Sequence, residues 1–181
     1  MAWGMGFGAR AGEDFWAGMR YKAPTPEREA LSGPFTNSIP DTAMHHIAKE
    51  FISSRDKFAK HLGIELEDVA PGYARARMPI TDEHTNGLGI VHGGATFALA
   101  DLAFAAASNS HGQVSVAINA SISYVAAGQG AWLVAEARET SLTPRLATYK
   151  VSILDEKGET VALFDGMVYR KKTAITDVMG Q

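Results

Sequence analysis

The 181-residue chain contains no cysteine, which excludes disulfide bridges, thiolate zinc sites and a cysteine nucleophile. It also lacks an apolar run long enough for a membrane span, and no signal peptide is evident at its start. Neither sign of charge dominates, because 17 Lys and Arg residues stand against 20 Asp and Glu residues for a formal net charge of −3. These absences argue against a membrane protein and a general nucleic-acid binder, and they make the cytoplasm the default location.

What is present is the composition of an ordinary globular domain. Apolar residues make up 46% of the chain and charged residues 20%, and the length suffices for one domain with a sizeable core. Residues 1–40 hold scattered aromatic residues and glycines without a sustained period, which predicts an irregular N-terminal extension. Residues 41–173 carry the periodic patterns of a single domain, and residues 174–181 are predicted to form a C-terminal tail.

The stretch from His84 to Ser110 predicts the element around which the rest of the fold is arranged. Its first half is a loop rich in glycine, and its second half is an alanine-rich run that predicts a helix over about residues 92–108. An earlier helix is predicted from residue 41 or 42 to residue 62, where Gly63 would end it. The later helix is apolar nearly all round, so we expect it to be central and covered by a sheet.

Alternating patterns on either side of the central helix predict the strands of that sheet. Residues 64–80 alternate around a Pro71-Gly72 turn and predict a strand or hairpin. Residues 114–124 place apolar side chains on one face, which predicts a half-buried strand. Three further strands are predicted near residues 131–141, 146–155 and 160–170, the last two joined by a hairpin turn at residues 155–158. The expected fold class is α+β, with an antiparallel sheet wrapped around one long helix.

The central helix carries one acidic residue, Asp101. Helical spacing places Phe97, Asp101 and Phe104 on one stripe. A buried carboxylate is costly and is usually paired, protonated or functional. Asp101 is therefore a candidate catalytic residue, and the alternative is a structural Asp that is bonded to neighbouring backbone or to Asn109.

The start of the same helix offers complementary chemistry. A helix that opens at Gly93 and Gly94 leaves unpaired N–H groups at its positive end, which can bind an anion or stabilise a developing oxyanion. The alternative is that the two glycines only allow close packing. Gly93 and Asp101 are eight residues apart, so about 12 Å of helix separates them. Either Asp101 is structural, or two chains contribute to each site across a symmetric interface, which predicts a dimer.

At these residues the chain resembles the PaaI-type hotdog-fold acyl-CoA thioesterases. The similarity covers roughly residues 57–171, and the residues that carry it are Asn86, Gly89, His92-Gly93-Gly94, Leu99-Ala100-Asp101 and Ala107-Ser108-Asn109-Ser110. The resemblance implies a hotdog fold, a homodimer or a homotetramer built as a dimer of dimers, and hydrolysis of acyl-CoA to free acid and CoA. It implies no cofactor beyond the coenzyme A that belongs to the substrate.

The resemblance also implies roles for the site residues. The Gly93 N–H would polarise the thioester carbonyl, and Asn86 would orient the thioester or the water, with turn formation as its alternative role. His92, the fourth candidate catalytic residue, would shape the loop and hydrogen-bond near the thioester, whereas the work of the base falls to the acid of the helix. Asp101 of the second subunit would act as general base or as nucleophile, and the sequence does not choose between these two modes.

The residues that contact the substrate are less clearly marked in the sequence than the candidate catalytic residues. Gly94, Phe97 and Phe104 are candidates beside the acyl group, although both aromatic residues also suit a core. The candidate contacts to the CoA phosphates are Arg145, Lys150, Arg170, Lys171 and Lys172, and solvated surface charge is the alternative for each. The segment after Tyr124 departs from many relatives, because it lacks the Arg and Pro expected there.

Two other functions compete with that of a thioesterase. A hotdog-fold hydratase or dehydratase would need a His-then-Glu arrangement that is not evident, and a non-catalytic acyl-CoA sensor would not need the set of Asn86, Gly93 and Asp101. A metal site is not predicted. His46 and Glu50 lie four residues apart, but two ligands make a poor site and an exposed helix surface is the better interpretation.

Overall fold

A computed structural model describes residues 41–179 of the chain. The predicted extension at residues 1–40 and the last two residues of the predicted tail lie outside that range. The described helices are α1 (Asp41–Arg55), α2 (Lys57–His61), α3 (Gly93–Asn109) and α4 (Ile175–Met179), with a short 3-10 helix at Asp82–His84. The strands are β1 (Glu65–Ala70), β2 (Tyr73–Pro79), β3 (Gln113–Tyr124), β4 (Trp132–Leu142), β5 (Leu146–Asp155) and β6 (Thr160–Ala174).

The six strands form one antiparallel sheet in the order β1-β2-β4-β5-β6-β3. Helix α3 packs against the sheet along its length and contacts all six strands. Two turns confirm the predicted hairpins, because Gly72 and Gly158 adopt the positive φ that their turns require. The predicted α+β architecture, a sheet around one long helix, is confirmed.

The core is built around α3, and small side chains let the sheet approach that helix closely. Alanines on its inner faces, such as Ala100 and Ala103, are completely buried. The one large aromatic side chain among them is Phe104, whose ring centroid lies 5.5 Å from that of Tyr149 and 5.5 Å from that of Phe164. Tilted and edge-on contacts at this separation are favourable for aromatic rings. The centre of α3 is therefore fixed by packing, and only its ends and one stripe can carry chemistry.

The single helix predicted up to residue 62 is wrong, because the chain breaks between α1 and α2. Asp56 leaves the helical region with φ −75° and ψ 97°, and its side chain accepts a hydrogen bond from the Ala59 N–H at 2.8 Å. This is the geometry of an N-cap, so Asp56 starts a second helix. The predicted end at Gly63 is confirmed by its φ of +62°.

The prediction of a half-buried strand at residues 114–124 is also wrong for the isolated chain. Strand β3 lies at the edge of the sheet, and among the described strands it pairs only with β6. Its apolar side chains are left in solvent, with Val116 43% and Ile118 56% exposed. Alternation identified the apolar face correctly, but it does not say what covers that face.

The predicted tail contains the short helix α4. Ile175, its first residue, is completely buried, and the Arg55 guanidinium donates hydrogen bonds to the carbonyls of Val178 and Met179. This part of the tail therefore packs on the domain. Among the residues that the structure describes, no helix has both the length and the apolar character needed to cross a membrane.

The contact between Gly166 and Phe104 predicts a strong effect on stability. A Cβ at Gly166 would lie 2.6–2.9 Å from three atoms of the Phe104 ring. We expect Gly166→Ala to lower the free energy of unfolding by about 1–3 kcal/mol, because the buried ring has no free space to enter. Urea denaturation measures this change. Gly87→Ala is the matched control, because a Cβ there meets nothing within 4 Å, and it should stay within about 0.5 kcal/mol of the wild type.

Candidate active site

The loop before α3 is held in shape by Asn86. Its backbone N–H donates to the Ile90 carbonyl at 2.9 Å, and its side-chain Oδ1 accepts from the Leu88 N–H at 2.9 Å. Gly89 donates to the Asn86 carbonyl at 2.9 Å with a φ of +70°. The turn-forming role that the sequence left open is thus present, and it uses only the oxygen of the Asn86 amide. The amide nitrogen makes no hydrogen bond to a described residue.

His92 is the N-cap of α3. Its Nδ1 accepts from the Gly94 N–H at 2.8 Å, and its carbonyl accepts from the N–H groups of Ala95 and Thr96 at 3.0 and 3.1 Å. Of the N–H groups in the first helical turn, only that of Gly93 has no hydrogen-bond partner among the described residues. Because a helix N-terminus carries partial positive charge, this N–H is a ready donor for a developing oxyanion.

Tyr124 fixes the backbone that presents this donor. Its hydroxyl, from the last residue of β3, donates to the Gly93 carbonyl at 2.8 Å. A Cβ at Gly93 would lie 3.1 Å from the Tyr124 hydroxyl and Cζ, so the close contact favours glycine there. Sequence reasoning did not select Tyr124 as a site residue. Nothing in the sequence marks it except its place at the end of an apolar alternation, and only the fold joins two residues 31 positions apart.

The Gly93 N–H lies in a cleft of about 420 Å³, which we call the glycine cleft. Its polar groups come from Asn86, Gly93 and Tyr124. The remaining wall is largely apolar and is formed by Ile90, Val91, Thr96, Val125, Ala126, Ala127, Gly128 and Val161. An apolar cleft with a few convergent polar groups is the usual form of a small-molecule site.

Asp101 lies in a second cleft of about 370 Å³, which we call the acidic cleft. It is lined by Asp56, Phe58, Ala59, Gly94, Phe97, Ala98, Asp101 and Leu102. Asp101 was expected on a buried stripe, but it lies on the one stripe of α3 that reaches solvent. Its carboxyl is nevertheless crowded by the cleft walls. Burial raises the pKa of Asp101 from its ordinary value, and the negative charge of Asp56 raises that pKa further.

The two clefts are separate in a single chain. They share no lining residue, and Gly93 and Asp101 stand about 12 Å apart along a straight helix. A catalytic base must come within about 3 Å of its reacting atom, directly or through one water. One chain therefore does not bring both groups to one thioester carbonyl.

Only some of the predicted substrate contacts lie in a cleft. Gly94 and Phe97 line the acidic cleft, whereas Phe104 is only 1% exposed in the core and reaches neither cleft. Its place on the helix is explained by packing against the sheet.

Arg145 is exposed in the turn between β4 and β5. Along β6, the partner of Leu146 lies seven residues from the partner of Tyr124, so about 23 Å of strand separates this turn from the glycine cleft. The side chain of Arg145 therefore does not line the glycine cleft of its own chain.

No metal site is found within residues 41–179. His46 and Glu50 are both exposed on α1, and no three potential ligands from His, Cys, Asp and Glu converge in this part of the chain.

Besides Tyr124, sequence reasoning also missed Asp56, which lines the acidic cleft. An Asp directly before a short helical run is a recognised start signal, and it was available at Asp56-Lys57.

Comparison with known proteins identifies the family. The model of the Thioesterase superfamily matches residues 88–162, from the loop before α3 into β6. The acyl-coenzyme A thioesterase PaaI of Escherichia coli is 37% identical over 122 residues, which cover 67% of this chain and 87% of that protein.

Two solved structures share the fold. The Escherichia coli PaaI protein, from the phenylacetic acid degradation operon, has a TM-score of 0.68 and 32% identity, covering 72% of this chain and 98% of that one. A variant of the phenylacetic acid degradation protein PaaI of Thermus thermophilus has a TM-score of 0.61 and 41% identity, covering 64% of this chain and all of the other.

These likenesses extend over nearly the whole length of the relatives, and they include the sheet and the central helix. The predicted hotdog fold and the resemblance to PaaI-type enzymes are confirmed. The chain belongs to the thioesterase superfamily, as a thioester hydrolase of the PaaI type with a hotdog fold.

Proposed function

We propose that the protein hydrolyses acyl-CoA thioesters to a free acid and CoA at a site shared by two subunits. The observation that carries this proposal is the separation of the glycine cleft from the acidic cleft in one chain. Each chain then supplies the carbonyl-binding half of one site and the carboxylate of the other. A symmetric pair of chains completes both sites at once.

The exposed edge of the sheet supports such a pair. Strand β3 presents an edge of 12 residues with apolar side chains on it, and long exposed edges are normally covered. Tyr124 ends this strand and holds Gly93, so an interface on β3 adjoins the glycine cleft. The proposed assembly is a homodimer, or a homotetramer built from two such dimers.

The chemistry follows from the groups in the two clefts. The thioester carbonyl oxygen accepts a hydrogen bond from the Gly93 N–H, and the Asn86 amide orients the thioester or the attacking water. The partner subunit's Asp101 removes a proton from that water as its oxygen attacks the carbonyl carbon. The carbon–sulfur bond then breaks, and the CoA thiolate leaves and takes up a proton. In the alternative mode, Asp101 attacks directly and water cleaves the resulting anhydride.

The substrate class rests on the relative and on the cleft walls. The Escherichia coli relative is named as an acyl-coenzyme A thioesterase. Apolar walls in both clefts suit an aryl-acetyl or medium-chain acyl group. The proposed contacts for the CoA phosphates gather where β6 ends and β4 turns into β5, and they are Arg145, Arg170, Lys171 and Lys172. Lys150 is a weaker candidate, because it lies 3.8 Å from Asp165.

Removal of the Asp101 carboxylate should abolish turnover. We expect Asp101→Asn to slow thiol release from acyl-CoA by at least about 10²-fold, because the general base is lost. A thiol-reactive dye measures the rate across a panel of acyl-CoAs. Asp68→Asn is the matched control, because it removes an exposed carboxylate from β1 outside both clefts. Equal rates for Asp101→Asn and the wild type would remove Asp101 from the mechanism.

A mixed dimer tests whether the site is shared. Asn86→Asp keeps the oxygen that accepts from Leu88 but loses the amide donor, and Asp101→Asn loses the base. In a dimer of one chain of each kind, one site carries both defects and the other carries neither. Two different affinity tags isolate this species, and we expect about half of the wild-type rate from it. Mixed dimers as inactive as either parent would indicate a site within one chain.

Two substitutions of His92, the N-cap of α3, distinguish a role in shaping the loop from a role in the chemistry. Because His92 contributes an acceptor for the Gly94 N–H, His92→Asn should preserve the helix start, whereas His92→Ala should lose about 0.5–2 kcal/mol of stability. Thermal denaturation and the rate of thiol release are measured for both variants. The loop-shaping role predicts that His92→Asn keeps most of the activity. A loss as deep as that of Asp101→Asn would instead assign His92 to the chemistry.

A further inference from the structure

The break between α1 and α2 places a second carboxylate in the acidic cleft. Asp56 is anchored on both sides, because its backbone N–H donates to the Ile52 carbonyl at 3.0 Å and its Oδ1 accepts from the Ala59 N–H at 2.8 Å. Its Oδ2 has no hydrogen-bond partner among the described residues. One oxygen thus caps the helix, and the carboxylate as a whole forms part of the cleft wall next to Asp101.

The cap does not explain why this residue is acidic. Asn, Asp and Ser are about equally good N-caps, because the cap needs only an oxygen that accepts a hydrogen bond. What Asp56 adds to that acceptor is a negative charge. The charge faces a cleft whose other walls are mainly apolar, and in such surroundings charges interact more strongly than in water.

Within residues 41–179, no cation lines the acidic cleft to neutralise the pair. Asp56 and Asp101 are the only charged residues of this part of the chain that line it. Of the charged residues nearby, Lys57 follows Asp56 in the chain and is exposed without lining the acidic cleft. Lys60 of α2 and Glu65 of β1 line a neighbouring cavity, whose wall shares Asp56 and Leu102 with the acidic cleft. The Lys60 ammonium is held there by the Ser54 carbonyl at 2.6 Å. Asp101 therefore has one charged neighbour in its cleft, and that neighbour is acidic.

We propose that Asp56 is a positioning residue of the thioesterase site, which acts through Asp101 as a fixed negative charge that strengthens Asp101 as a base. This proposal rests on the proposed function, in which the partner's thioester reaches the acidic cleft. A carboxylate that removes a proton from water works better as its basicity rises toward the working pH. Asp101 lies on the exposed stripe of α3, but the partial burial of its carboxyl by the cleft walls and the charge of Asp56 both raise its pKa, so they act in the same direction.

The consequence appears in the pH profile. Asp101 works in its ionised form, so kcat/KM falls as the pH drops through the pKa of Asp101. Removing the charge of Asp56 lowers that pKa, although the effect of burial remains. The acidic limb of the profile should therefore move to lower pH, and the plateau rate should fall because the base is weaker.

The test compares Asp56→Asn and Asp56→Ser with the wild type in the full chain. Both variants keep an oxygen that can cap α2, so their melting temperatures should stay near that of the wild type. We expect the acidic limb of kcat/KM to move to lower pH in both variants, and not in the control Asp68→Asn. A ¹³C NMR titration of the Asp101 side-chain carboxyl should show a matching downward shift without relying on turnover.

The outcomes separate this inference from the proposed function. A titration midpoint of Asp101 that stays in place in both Asp56 variants would overturn the inference, and so would an acidic limb that does not follow the midpoint. A loss of activity with an unchanged limb would reduce Asp56 to a structural cap and overturn it equally. Full activity of Asp101→Asn, by contrast, would remove Asp101 from the mechanism, whatever the Asp56 variants do. The proposed function itself would be refuted if the wild type released no thiol from any acyl-CoA of the panel.

Discussion

The burial of α3 is the constraint on which the rest of the structure depends. The sheet surrounds this helix so completely that only its N-terminus and one stripe reach the surface. The N-terminus carries the N–H of Gly93, which has no hydrogen-bond partner within residues 41–179, and the stripe carries the carboxylate of Asp101. A rigid helix keeps the two groups about 12 Å apart, so a small thioester cannot use both in one chain. The proposal of a shared site follows from this distance.

Several features that weaken an isolated chain are consistent with such a site. An apolar edge strand, an uncovered stripe of α3 and two carboxylates in one apolar cleft all raise the free energy of a monomer in water. Tyr124 connects two of these features, because it ends the exposed strand and supports the backbone of Gly93. The surfaces that would meet a partner are thus also the surfaces that carry the reacting groups.

Much of the fold and part of the site could be predicted from the sequence. The alanine-rich composition identified α3, turn residues identified both hairpins, and apolar alternation identified the strands, because each of these signals reports local geometry directly. The predicted site residues His92 and Gly93 lie at the N-terminus of α3 and Asp101 lies on its exposed stripe, and their catalytic roles stay predictions. Phe104 lies in the core and away from both clefts, because helical spacing gives a side chain's direction and not what lies there, and the sheet fills that space with Tyr149 and Phe164.

The sequence by itself determined the strands, the central helix, the fold class and the residues that make the start of α3 a donor, but not the break between α1 and α2. These properties depend on neighbours along the chain, such as a histidine two positions before the N–H that it caps. Only the tertiary structure decided that β3 is an edge, that Tyr124 supports Gly93 and that Asp56 lines the same cleft as Asp101. Each of these facts depends on how distant segments pack, and the free energy of that packing comes from the whole domain. No local pattern encodes such a contact, and for that reason the two clefts became visible only in the folded chain.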